Sequence, residues 1–448
     1  MSEQSRDADV VVVGGGIGGL ANALALTRKG LRVRLLEQAH RFGEVGAGLQ
    51  IAPNCTRILH RWGLLDEVTS LGVLPRSIVM KDALDGEVLT TLDLRDVERR
   101  YGFPYLVIHR SDLHGTLLRA CRRAGGDLVN DVTVTGYEQA EGGAFAVHEG
   151  GREFGRIVLA ADGLHSVARR VMSDDAPVSS AYVAYRGTVP SGQVSHLDTQ
   201  PDDVVVYVGP RCHFVQYSLR HGEVFNQVAV FESPKALAGE ADWGTPDELD
   251  AAFTAACDQV RAGLPLLWRD RRWRMFDREP IANWVRGRIA LTGDAAHPPL
   301  QYLAQGAVMA IEDAWVLSEH VSGQGRAGAP AAAARETRPD TQRDATPDAP
   351  RNAAPDVDWD AALAAYNAVR VRHCRRVQTT ARAWGDLWHH DEEKREWRNA
   401  VLRARDVHDY GHVDWLFGPT ALTPGQLPPM FPEYGEEPAP LHGAGTPL

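Results

Sequence analysis

No part of this 448-residue chain runs for the ~20 uninterrupted apolar residues that a membrane-spanning helix needs; charges or glycines break each apolar stretch first. Basic runs are also missing. With 48 Lys and Arg against 59 Asp and Glu, the formal net charge is -11, which makes the chain a poor partner for a polyanion and sets nucleic acid aside. Cysteine is scarce: Cys55, Cys121, Cys212, Cys257 and Cys374 are odd in number and form no CxxC pair, so neither a disulfide framework nor a metal site is indicated. The opening MSEQSRDAD lacks the basic segment and apolar stretch of a secretory signal. These absences make a soluble protein of a reducing cytoplasm the plain expectation. What is present, 44 % hydrophobic residues over this length, supports a large core in one large or two to three ordinary domains and excludes wholesale disorder.

The most informative segment is the first. Val10 to Val13 form a β-branched run, five glycines follow between Gly14 and Gly19, Leu20 to Lys29 reads as a helix closed by Gly30, and Val33 to Leu36 reads as a second strand. In the pattern Gly14-x-Gly16-x-x-Gly19 the first glycine permits a tight turn, the second lets backbone approach a pyrophosphate, and the third lets helix pack on strand. The helix N-terminus offers unpaired N–H groups to phosphate. Glu37 ends the second strand, where an acid can accept hydrogen bonds from an adenosine ribose. Strand, glycines, helix, strand and acid in this order predict a dinucleotide site, but do not separate NAD from FAD.

Two later strands end in acids: Ile157 to Ala161 stops at Asp162-Gly163, and Ile289 to Thr292 at Gly293-Asp294-Ala295-Ala296-His297-Pro298. An acid there points into the crevice where parallel sheets bind ligands. Between them, Ser180 to Phe231 reads as an antiparallel meander that includes strands Val204 to Val208 and Cys212 to Leu219. Helices are expected from Asp112 to Ala124, from Gly306 to Leu317 and from Trp359 to Trp388. The segment 322–357 has almost no large apolar side chain and reads as a disordered insert; the tail beyond Gly418 is rich in proline. No second Gly-x-Gly-x-x-Gly follows another strand, so no stable second dinucleotide domain is expected.

The triple-glycine motif with Glu37, the Asp162-Gly163 segment and the Gly-Asp-Ala-Ala-His-Pro segment together resemble the single-component FAD-dependent aromatic hydroxylases, the group of para-hydroxybenzoate and salicylate hydroxylases, over residues 8 to 320. Glu44 to Gln50, Tyr182 to Thr188, Gly209 to Tyr217 and His297 to Tyr302 look like the 3-hydroxybenzoate 6-hydroxylase branch of that family. The resemblance implies a Rossmann-type α/β FAD-binding domain with a parallel sheet (8–76, 102–179 and 280–321), an inserted antiparallel β-rich substrate domain (77–101 and 180–279), and a helical C-terminal region (358–448). It also implies FAD bound by Gly14, Gly16, Gly19, Glu37, Arg110, Asp162 and Asp294, with NADH as a transient electron donor. Oxygen would then form a flavin C4a-hydroperoxide that attacks a small aromatic acid, giving gentisate from 3-hydroxybenzoate. Family members are often dimers, and the Trp359 to Trp388 helix is a candidate contact.

Electrophilic hydroxylation favours a phenolate over a phenol, and a phenolic pKa near 10 calls for a base in the site. On the Cys212 to Leu219 strand, alternation places His213, Val215, Tyr217 and Leu219 on one face. The resemblance makes His213 the base, with Gln301 as its amide partner at the phenolic oxygen, and Tyr105 and Tyr217 as hydrogen-bonding walls. His297 reads as structural, and no arginine stands out as the carboxylate anchor. Salicylate or another phenol as substrate, and a flavin- or NAD-binding protein without turnover, remain the alternatives.

Overall fold

The computed structural model describes residues 8–43, 46–194, 200–322 and 356–418. The expected insert at 322–357, save its edges, and the tail beyond Gly418 lie outside the described residues.

The first sheet runs in the spatial order Val285–Arg286, Ile289–Leu291, Gly151–Ala160, Ala8–Val13, Val33–Leu36, Asp127–Val129. All pairs from Ile289–Leu291 to Asp127–Val129 are parallel. Ala8–Val13 is central and every residue in it is buried, which is why Val10 to Val13 is a continuous apolar run and not an alternation; the one charge, Asp9, is paired with Arg32. Helix Ile17–Arg28 covers one face and packs against Gly306–Ser322 and Arg110–Ala124. The carboxyl ends of Ala8–Val13, Gly151–Ala160 and Ile289–Leu291 therefore lie side by side, and the glycine turn, Asp162 and Asp294 emerge together.

The second sheet has the order Trp273–Asp277, Val178–Pro190, Val224–Glu232, Cys212–Leu219, Asp203–Gly209, Ser77–Asp82, Val88–Asp93. Its pairs are antiparallel except Asp203–Gly209 with Ser77–Asp82. All eight residues of Cys212–Leu219 are buried. Cys212 and Phe214 pack into a core with Tyr185, Phe231 and Phe253, while Val215 and Tyr217 face the main core of the molecule. The C-terminal helices hold this sheet from outside its own sequence. Asp82 accepts hydrogen bonds from Arg395, Arg398 and Asn399 of helix Glu392–Ala404 at 2.7 to 3.0 Å.

Several expected boundaries move: the first helix begins at Ile17 and not at Leu20, and the strand expected from Ile157 begins at Gly151. The helix expected from Asp112 begins at Arg110, because the His109 ring accepts from the Ser111 N–H and acts as the N-cap. The helix expected to end at Leu317 continues to Ser322. Trp359–Trp388 has its expected limits, with the Asp358 side chain capping the Ala361 N–H.

Candidate active site

A cavity of about 1620 Å³ lies between the two sheets and is lined by residues from both. At its dinucleotide end are Gly14, Gly16, Glu37, Arg110, Asp162, Gly163 and Asp294. Gly14 has φ +106°, and a Cβ there would sit 2.3 Å from the Ala161 carbonyl oxygen. Helix Ile17–Arg28 starts at Gly16 with no side-chain cap and no acid in its first turn, so its N–H groups stay open to an anion. Gly19 does not line the cavity. Its backbone packs on the Gly14 carbonyl, where a Cβ would come within 1.8 Å, so its part in a cofactor site is indirect.

Glu37 is fixed from both sides, accepting from the Gly15 N–H at 2.5 Å and the Ala39 N–H at 2.8 Å. Asp162 takes hydrogen bonds from the Val167 N–H at 2.9 Å and the Tyr137 hydroxyl at 3.2 Å through one oxygen. Its other oxygen is buried with no partner among the described residues. Such an orphan acceptor at a cavity wall suits a ligand hydroxyl. Asp294 is exposed at the cavity, and the Arg110 side chain lies over Gly46.

Beneath Asp294 lies a buried charged network. Asp313 accepts from the Gly293 N–H, the Thr292 hydroxyl, His297 Nε2 at 2.6 Å and Arg370 Nε at 2.7 Å. Burial pushes the Asp313 carboxyl up, but His297 and Arg370 outweigh it and hold the group well below the usual range. His297 is fully buried and does not line the cavity, in keeping with a structural role.

At the far end stand Tyr105, Arg186, His213, Tyr217 and Gln301. Tyr105 donates to Gln50 Oε1 at 2.7 Å. The Tyr217 ring lies on the Gly48 backbone, where a Cβ would come within 2.4 Å of it. Arg186 donates to Gln301 Oε1 at 3.4 Å, Gln301 Nε2 approaches His213 Nε2 at 3.4 Å, and His213 Nδ1 approaches His389 Nε2 at 2.8 Å. Guanidinium is a donor only, so Gln301 turns its oxygen to Arg186 and its NH2 to His213. His213 then keeps a lone pair on Nε2 at the cavity and its proton on Nδ1. Burial alone lowers the His213 pKa to about 3, so its imidazole is neutral near pH 7.

A 3-hydroxybenzoate 6-hydroxylase of Polaromonas naphthalenivorans is 34 % identical over 93 % of this chain and 98 % of its own. A 3-amino-4-hydroxybenzoate 2-monooxygenase of Streptomyces cremeus is 32 % identical over 94 % and 97 %. A family model described as FAD binding domain matches residues 7–344. The chain is a member of the FAD-dependent aromatic hydroxylase family. Among solved structures, Klebsiella pneumoniae HpxO complexed with FAD and uric acid superposes with a TM-score of 0.73 at 24 % identity, covering 88 % of this chain and 92 % of that one. A salicylate hydroxylase substrate complex superposes with a TM-score of 0.70 at 22 % identity, covering 92 % and 95 %.

For a hydroxylase of this family FAD is the cofactor, and the glycine cradle, the uncapped helix and the orphan Asp162 oxygen fit it. Two residues of the far wall, Arg186 and Gln50, and His389 behind it were missed by sequence reasoning. Arg186 was legible: on strand Val178–Pro190, Tyr182, Ala184 and Arg186 alternate onto the cavity side, while Val183 and Tyr185 enter the other core. Gln50 and His389 carried no such signal, since both depend on contacts between distant segments.

Proposed function

We propose that this hydroxylase uses NADH and dioxygen to hydroxylate 3-hydroxybenzoate para to its hydroxyl group, giving gentisate. The observation that carries the reading is the Arg186–Gln301–His213 series on one cavity wall. It offers a cation, an amide and a neutral imidazole in the order that a meta-hydroxylated benzoate presents a carboxylate and a phenol. Three relatives of 32 to 34 % identity that bear the name 3-hydroxybenzoate 6-hydroxylase support the same substrate.

In this reading, Arg186 and the Tyr217 hydroxyl hold the carboxylate, and Gln301 donates to the phenolic oxygen. His213 Nε2 takes the phenolic proton, leaving an electron-rich phenolate. Pinning the ring at two points decides which of its activated carbons faces the flavin. Bound FAD, once reduced, supplies the activated oxygen. The aromatic walls Tyr302, Trp388 and Tyr105 keep water from it. NADH docks transiently, in keeping with the single glycine motif.

The variants His213→Ala and Gln301→Ala are expected to keep substrate-stimulated NADH oxidation while losing hydroxylated product. Arg186→Gln should raise the Kd for 3-hydroxybenzoate 10- to 100-fold, on the order of the 1.5–3 kcal/mol of a charged hydrogen bond, and leave the Kd for phenol unchanged. Unaltered coupling in the first two variants, measured as product formed per NADH, would remove His213 and Gln301 from the mechanism.

A further inference from the structure

We infer that His389 carries the phenolic proton away from His213 and out of the cavity, so that the two imidazoles form a relay. This rests on the reading of His213 as the group that deprotonates the substrate. His213 is enclosed: Trp388 stands edge-on at 5.1 Å and Tyr302 at 5.5 Å, and the residue is 1 % exposed. A proton taken up at Nε2 therefore has two exits, back to the substrate or on through Nδ1. The Nδ1 exit meets His389 Nε2 at 2.8 Å, with the rings 5.1 Å apart and 24° from parallel. The tautomer fixed by Arg186 and Gln301 makes His213 Nδ1 the donor and His389 Nε2 the acceptor.

His389 is built to pass charge on. It follows the last turn of helix Trp359–Trp388 and is 7 % exposed, where His213 is 1 %. Tyr182 stacks on it at 4.4 Å and keeps the ring in register with His213. Burial first, then His213, Arg398 and His390, all work against a lasting positive charge there. A buried imidazole with no carboxylate partner is a weak resting place for a proton. The relay resolves this by moving the charge through. In one pass the phenolic O–H bond breaks as Nε2–H forms on His213; Nδ1–H of His213 breaks as Nε2–H forms on His389; and His389 releases its Nδ1 proton to solvent. No electrons are transferred, and the reverse pass returns a proton to the product. His389 acts through His213 and does not touch the substrate.

The test mixes oxidised holoenzyme with 3-hydroxybenzoate and follows proton release with a pH-indicator dye in stopped flow. Wild type should release one proton per site. His389→Phe keeps an aromatic ring against Tyr182, and His389→Gln keeps an acceptor for His213 Nδ1–H; neither can relay. Both should retain FAD and bind substrate yet release the proton at least 10-fold more slowly, and added imidazole should restore the rate in His389→Ala. Wild-type release in His389→Gln, or none in the wild type, overturns the relay. Slow release in His213→Ala beside fast release in His389→Phe overturns the relay alone. Fast release in His213→Ala overturns the His213 reading with it. Should His389→Phe fail to hold FAD, His389→Gln decides.

Discussion

His213, the base of the proposed reaction, also bears on the stability of the fold. Its folded pKa of about 3 lies below the ordinary 6.5, so the unfolded chain takes up a proton first as pH falls. The stability it permits is whole above pH 6.5 and is lost progressively as pH drops toward 3. Between pH 6.5 and 5 the loss amounts to about 2 kcal/mol. Urea unfolding of wild type and His213→Gln at pH 7 and pH 5 should therefore show a smaller pH-dependent loss in the variant. Equal losses would show that the imidazole is not held neutral in the fold. Strand alternation made the His213 and Tyr217 face legible in the sequence. The neutrality of His213 was not legible, because it comes from Trp388, Tyr302 and His389, brought from as far as 176 positions away.

At the scale of elements, the site is set by how closely two segments approach. The short strand Gly48–Ile51 passes under the Tyr217 ring, and the Gly48 N–H is held by Asn226 Oδ1 at 2.9 Å. A methyl group at position 48 would come within 2.4 Å of that ring, and the ring lies against backbone that cannot yield. Gly48→Ala should thus displace Tyr217 and weaken 3-hydroxybenzoate binding at least 10-fold, while the visible flavin spectrum and FAD content stay as in wild type. Loss of FAD in this variant would mean that the strand supports the cofactor end instead. Element types were read correctly where the pattern was local: the β-α-β opening, the Cys212–Leu219 strand and the Trp359–Trp388 helix. The start of the Arg110–Ala124 helix was misplaced because its cap is a histidine, outside the usual Ser, Thr, Asp and Asn.

Across the whole molecule, a net charge of -11 opposes an anion such as the proposed substrate, and in that proposal its recognition falls to local groups such as Arg186. Raising ionic strength shortens the range of that repulsion to about 8 Å at 0.15 M and less beyond. The value of kcat/KM for 3-hydroxybenzoate is accordingly expected to rise modestly between low and physiological salt, with no change for an uncharged phenol. A fall would mean that the cations at the cavity outweigh the overall charge. The two-sheet architecture itself was legible, since glycine motif, terminal acids and meander each announce one part of it. What no single segment announces is the cavity between the sheets, whose walls come from residues scattered from Gly14 to Phe417.

The central claim concerns what leaves that cavity. Purified holoenzyme supplied with NADH, dioxygen and, in separate reactions, 3-hydroxybenzoate, salicylate and 3-amino-4-hydroxybenzoate should yield gentisate from the first, identified by chromatography and mass, in near one-to-one proportion to NADH consumed. Peroxide as the only product from 3-hydroxybenzoate, with coupled hydroxylation of one of the other two acids, would contradict the account.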